Sequence, residues 1–225
     1  MDRLHRTRLL LGDGAIDKLK SSTIMIVGCG AVGSFAIEAI ARSGIGHIVL
    51  IDFDNIEPTN INRQLFALDS TLGLPKVSVA ATRIHDINPD IRVTVINTFF
   101  DENTTLDITP DFVIDAIDST TSKIALYNWC VAHNVPFISS MGAALKTDPT
   151  QIKISKISRT SVCPLASKIR KMSRELKLPD FPVVFSSQPP QTPAVGGKTL
   201  GSLVTVTGIF GLLLANYAID SLLGK

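Results

Sequence analysis

The chain has 225 residues, 45% of them hydrophobic and 19% charged, which suits a folded protein with one sizeable core and argues against disorder. A net charge of +2 gives no whole-molecule attraction to nucleic acid and leaves only a local basic patch as a route to it. The three cysteines, Cys29, Cys130 and Cys163, form no Cys-x-x-Cys pair, so neither a disulfide framework nor a cysteine zinc site is supported.

The N-terminal residues up to Arg8 are basic with no apolar run behind them, so no secretory signal is expected and the default compartment is the cytosol. Residues 1–22 read as an N-terminal arm or helix. Strand-like and helical patterns then alternate: a strand over 23–27, a helix over 32–43, a strand over 48–51, a helix over 76–87 and strands over 93–98 and 112–115. A helix over 119–133 and a strand over 137–140 follow. Continuous apolar strands between helices predict an α/β, Rossmann-like, mostly parallel sheet with helices on both faces.

Residues 151–157 alternate as a half-exposed strand does, and 183–186 form another short strand, so antiparallel strands are expected at one edge. A basic helix over 165–176 lies between them, and 188–201 is a Pro-, Gly- and Thr-rich loop expected to be mobile. The apolar stretch 200–223 is interrupted by Ser202, Thr205, Thr207, Asn216 and Asp220, which favours a buried or interface helix over a membrane span of about 20 apolar residues. No stable span is expected, and membrane association is the minor alternative. With no repeat and no boundary in sight, 1–225 reads as one domain: the arm, a nucleotide-binding core over 23–145, and an edge-plus-helix region over 146–225.

The chemistry begins at Gly28-Cys29-Gly30-Ala31-Val32-Gly33, between a predicted strand and helix. Gly28 permits the tight turn, Gly30 admits a phosphate close to the backbone, and Gly33 lets the helix pack on the sheet. Free N–H groups of Ala31 and Val32 at the helix start suit an anion. Asp52, ending the second strand, is placed to accept from ribose hydroxyls, while Asp54 reads on its own as a turn residue or helix cap. An NAD site would need no more. Asn60, Arg63 and Lys76 add donors and charge for a phosphate chain and a pyrophosphate leaving group. Asp118, in Asp115-Ala116-Ile117-Asp118, is placed to hold Mg²⁺ directly or through water, with Asp115 as a turn-capping carboxylate and Lys123 as a second possible cation of the cleft. These residues leave NAD-dependent hydride transfer a poor account of the chain.

Together with Thr59-Asn60-Ile61-Asn62-Arg63-Gln64, Gly73-Leu74-Pro75-Lys76 and Ile87-Asn88-Pro89, the pattern resembles the ThiF/MoeB/HesA superfamily, bacterial relatives of ubiquitin-activating enzymes. The resemblance implies ATP- and Mg²⁺-dependent adenylation of a carboxylate. It assigns the ribose to Asp52, includes Asp54 of the Asp52-Phe53-Asp54 motif in the nucleotide site, and gives the phosphates to Asn60, Arg63 and Lys76 and the metal to Asp118. It also implies a homodimer in which Arg6, in Arg3-Leu4-His5-Arg6-Thr7, reaches the partner's phosphates. Further stretches, among them Met141-Gly142-Ala143 and Asp148-Pro149-Thr150-Gln151-Ile152, are most similar to the branch that cyclises threonylcarbamoyladenosine in tRNA. The alternative substrate is the C-terminus of a ubiquitin-like sulfur-carrier protein, and no sulfur-transfer partner can be named. For tRNA, the candidate contacts are Lys168, Arg170, Lys171 and Arg174 on the basic helix. Cys163 reads as a small buried residue rather than a nucleophile.

Overall fold

The computed structural model describes residues 2–195 and 199–225; residues 196–198 of the loop expected at 188–201 lie outside it. Seven strands form one sheet: β1 (Thr23–Val27), β2 (His47–Ile51), β3 (Arg92–Ile96), β4 (Phe112–Asp115), β5 (Phe137–Ser140), β6 (Ile152–Lys156) and β7 (Pro182–Ser186). Their order is β3-β2-β1-β4-β5-β7-β6. Of the two late strands only β6 opposes its neighbour; β7 runs parallel to β5, with Ser139 opposite Val183. The chain reverses direction between β5 and β6 and again between β6 and β7, so β7 ends parallel to β5, which alternation within the strand itself does not reveal.

The central strands bury both faces, and side chains of alternate residues divide between two cores. Ile24 and Ile26 of β1 join Ile48, Leu50, Ile114 and Ile138 on one side. Met25 and Val27 join Val49, Ile51, Val113 and Phe137 on the other. Helices α1 (His5–Leu11) and α2 (Asp13–Ser21) precede the sheet, with Leu4 packed on Gly44 just before β2 begins. Helices α3 (Gly33–Arg42) and α4 (Lys76–Ile87) cover the first core, while α5 (Thr120–Ala132) and α6 (Pro164–Glu175) cover the second.

Helix α7 (Val204–Leu222) is long and apolar enough, by length and composition, to cross a membrane, with a hydropathy of 1.3. Its inner residues Val206, Phe210, Leu214 and Ala218 belong to the first core. The packing against α3 is close: a Cβ at Gly211 would stand 2.4 Å from the Val32 carbonyl oxygen. The helix that closes the core therefore braces the helix that starts at the glycine turn.

Candidate active site

In an open parallel sheet, ligands sit beyond the carboxyl ends of the strands where the strand order reverses. Here that point lies between β1 and β4. A cleft of about 600 Å³ opens there, walled by Gly28, Gly30, Ala31 and Val32 after β1, Asp52, Phe53 and Asp54 after β2, and Ala116, Ile117 and Asp118 after β4.

The glycines act through space as well as conformation. Gly28 has φ +96°, and a Cβ there would stand 2.6 Å from the Ala116 carbonyl oxygen. A Cβ on Gly33 would overlap the Gly28 carbonyl, so that position too is confined to glycine. A Cβ on Gly30 would meet nothing nearer than Gln64 Nε2 at 3.8 Å, so its face is open to the cleft. The N–H groups of Ala31 and Val32 have no backbone acceptor among the described residues, which leaves the start of α3 electropositive.

Asp52 ties this turn to β2. Its Oδ2 accepts from the Cys29 N–H at 2.6 Å and its Oδ1 from the Asp54 N–H at 2.9 Å. Each carboxylate oxygen keeps a lone pair for a further donor. Burial, reinforced by Asp52, pushes the Cys29 thiol up, so it stays protonated and acts as packing.

Lys76 reaches the cleft because a short antiparallel pairing pins its segment: Ile56 N–H donates to Leu74 O at 2.9 Å and Lys76 N–H to Asp54 O at 3.0 Å. The Lys76 ammonium lies 2.7 Å from Asp54 Oδ2; the lysine side chain is 8% exposed and the aspartate 47%. Asp54 is thus neither a turn residue alone nor a helix cap, but the carboxylate that holds Lys76 at the cleft. Arg63 also lines the cleft, its Nη1 donating to Thr59 O at 2.8 Å and to Asn62 Oδ1 at 2.9 Å.

Asn60 does not line the cleft with them. Its Oδ1 accepts from the Glu57 N–H at 3.1 Å and its carbonyl from the Arg63 and Gln64 N–H groups. It shapes the turn that presents Arg63 and Gln64, and its Nδ2, which has no partner among the described residues, keeps two N–H donors. Gln64, quoted only as part of a motif, is itself a buried cleft residue. Its proximity to Gly30 arises through the fold, and spacing along the chain did not announce it.

Asp118 is exposed, lines the cleft, and has no hydrogen-bond or ion-pair partner among the described residues. No group of three or more His, Cys, Asp or Glu side chains converges among those residues. A lone free carboxylate suits Mg²⁺, which commonly takes one or two protein carboxylates and completes its shell with water and substrate phosphates.

Lys123 departs from its expected position. It is fully buried and does not line the cleft. Its ammonium donates to Asp115 Oδ2 at 2.7 Å and to the Ser140 carbonyl at 2.8 Å. Tyr127 O–H at 2.9 Å and Ser139 O–H at 2.6 Å donate to the same Asp115 oxygen, and the Ile117 N–H donates to the other at 3.0 Å. Burial beside this carboxylate pushes the Tyr127 phenol well up. The cluster joins β4, β5 and α5 beneath the cleft floor.

Arg6 is exposed on α1, near the end of the sheet where β2 begins, and does not line its own chain's cleft. On α6, Lys168, Lys171 and Arg174 are exposed, whereas Arg170 folds inward to donate to Thr160 O at 2.9 Å and Thr160 Oγ1 at 2.6 Å. Arg170 is therefore withdrawn from the set of free surface cations. Cys163 is buried at the start of α6, its Sγ accepting weakly from the Ala166 N–H.

The ThiF family model matches residues 3–225. The chain belongs to the ThiF family. Among ThiF-family relatives, tRNA threonylcarbamoyladenosine dehydratase of Bacillus subtilis is 44% identical over 194 residues, 84% of this chain and 76% of the relative. The Escherichia coli protein of that name is 41% identical over 197 residues, 83% of this chain and 69% of the relative. The crystal structure of the E. coli enzyme in complex with ATP superimposes with a TM-score of 0.93 at 35% identity, covering 99% of this chain and 94% of that one.

Proposed function

We propose that this ThiF-family protein is an ATP-dependent tRNA threonylcarbamoyladenosine dehydratase. The observation that carries the reading is the convergence of the open glycine turn, Asp52, Arg63, Lys76 and Asp118 on one cleft, in a chain 44% identical to a dehydratase of that name. ATP is the activating substrate. Ala31 and Val32 N–H groups receive phosphate oxygens, Asp52 accepts from the ribose hydroxyls, and Arg63 and Lys76 neutralise the phosphate chain. Asp118 would hold Mg²⁺, which would supply charge neutralisation on the phosphates.

The threonyl carboxylate of the modified nucleoside attacks the α-phosphorus, and the bond to the β,γ-pyrophosphate breaks with its electron pair leaving on pyrophosphate. Arg63 and Lys76 stabilise that developing charge. The carbamoyl group then attacks the acyl carbon, loses a proton to solvent, and expels AMP as the ring closes. The net loss is one water, and no protein nucleophile is needed, in keeping with the buried position of all three cysteines.

The whole chain is read as one adenylating unit acting in the cytosol as a homodimer. Arg6, exposed and away from its own cleft, is suited to reach the partner's phosphates, with exposed Leu9 and Leu10 on the same short helix as apolar contact. Lys168, Lys171 and Arg174 give tRNA phosphates an exposed basic face. The test is mass spectrometry of tRNA nucleosides after incubation with protein, ATP and Mg²⁺. Conversion of the open form to a species lighter by one water is expected; no conversion, with pyrophosphate exchange stimulated instead by a sulfur-carrier protein, overturns the assignment.

A further inference from the structure

Ser122 lies in the first turn of α5, four residues after Asp118, and both line the cleft. Ser122 is 2% exposed, yet its Oγ has no hydrogen-bond partner among the described residues. Leaving a buried hydroxyl unpaired is costly, and folded proteins rarely do so without a reason. The other such group, Ser173 Oγ, lies on α6 and does not line the cleft.

The surroundings of Ser122 suit a negatively charged oxygen. Ser122 belongs to the first turn of a 13-residue helix, at its electropositive end. The N–H groups of Thr120 and Thr121 have no acceptor among the described residues, while the Ser122 N–H makes only a long 3.5 Å contact with Ser119 Oγ. Across the cleft, the end of β5 presents Ser140, Met141 and Gly142, next to Leu165. This wall lies on the far side of Asp118 from the glycine turn and Asp52, away from the nucleotide's ribose. Ser140 offers no competing hydroxyl, because its Oγ donates to the Met141 carbonyl at 3.1 Å.

We infer that Ser122 Oγ, at the electropositive start of α5, forms the subsite for the acyl substrate's reacting oxygen, the carboxylate before adenylation and the acyl carbonyl afterwards. This rests on the adenylating function proposed above and places its acyl half. During ring closure, negative charge grows on that carbonyl oxygen and passes back as AMP leaves, so a fixed O–H donor favours the transition state over the resting acyl-adenylate. The hydroxyl donates a hydrogen bond and transfers no proton.

The test compares Ser122→Ala, Ser173→Ala and the unaltered protein, using tRNA carrying threonylcarbamoyladenosine. Measured are the single-turnover rate of water loss at saturating ATP and tRNA, the ATP dissociation constant, and thermal stability. Ser122→Ala is expected to slow turnover by about 10- to 100-fold, the scale of one hydrogen bond to a charged group. ATP affinity should stay within about twofold, and melting temperature should hold or rise because an unpaired polar group is gone. Ser173→Ala should show the stability effect without the rate effect. Turnover unchanged in Ser122→Ala overturns the subsite alone. Weakened ATP binding overturns the acyl assignment by giving the hydroxyl to a phosphate. An unaltered protein that fails to convert the nucleoside overturns the underlying function and the subsite together.

Discussion

Two lysine–aspartate pairs of the same 2.7 Å contact distance stand near the cleft and do different work. Lys123–Asp115 is sealed from solvent, and its carboxylate is saturated by a lysine, a tyrosine, a serine and a backbone N–H. Nothing in that cluster is left to bind a ligand, and its function is to join β4, β5 and α5. Lys76–Asp54 sits at the surface of the cleft, with the lysine covered and the aspartate half in water. There the aspartate holds the ammonium ready, and an incoming phosphate adds to the same charge without dismantling a closed network. What separates structure from function is the residual bonding capacity of the pair, and the bare contact distance carries no information about it.

The sharpest way to break this contrast is to remove one partner from each pair. Asp115→Asn, or Lys123→Met, leaves an uncompensated buried group and should cost about 3–5 kcal/mol, read by chemical denaturation. A loss under about 1 kcal/mol would mean the cluster is not a structural joint. Lys76→Ala, and separately Arg63→Ala, should leave stability within about 1 kcal/mol, since Asp54 can rehydrate. Each should lower kcat/KM by about 100-fold or more if its cation meets developing charge. A Lys76→Ala protein that unfolds before it loses activity would put both pairs in one class.

Helix α6 carries the same contrast at smaller scale. The triple change of Lys168, Lys171 and Arg174 to Ala should weaken tRNA binding and flatten its log–log salt slope by up to about three, with ATP binding retained. Arg170→Ala should instead lower stability by about 1–2 kcal/mol through the loss of its bonds to Thr160, with the salt slope unmoved. Equal effects of both on the salt slope would return Arg170 to the surface set.

The smallest effect belongs to an ion-pair cluster with no ligand to hold. Burial opposes ionisation of Glu38, but hydrogen bonds from Arg83 and Arg42 outweigh it and hold its carboxyl below the usual 4.5. A depressed carboxyl pKa stabilises the folded state above the unfolded value, and that contribution fades as pH falls below 4.5 through the folded one. Glu38→Gln should therefore lower stability at neutral pH by under about 1 kcal/mol, with the difference vanishing in acid. A constant difference across that pH range would mean the effect is packing.

Most of the cleft was legible because its signals are local. Gly28, Gly30 and Gly33 sit in one turn, Asp52 ends an apolar run, and Arg63, Lys76 and Asp118 follow recognisable spacings. All of them line the cleft except Gly33, which serves by packing against Gly28. Asn60 has a task in the turn that its polarity alone does not announce, since its Oδ1 accepts from the Glu57 N–H while its amide nitrogen stays unpaired among the described residues. Lys123 and Arg170 were misplaced for a related reason: a cation on a helix points to water unless some distant element offers it an acceptor.

Thus the amino-acid sequence alone set the alternation of strands and helices, the glycine turn and the family's charged motif, since each depends on neighbours a few residues away. Tertiary structure alone decided that β7 runs parallel, that α7 braces α3, that Gln64 faces Gly30, and that Lys123 is sealed while Ser122 is left unpaired beside Asp118. The physical reason is common to them all. Whether a polar group is spent or free depends on which donors and acceptors the folded chain brings within about 3 Å, and those partners come from segments that are remote along the sequence.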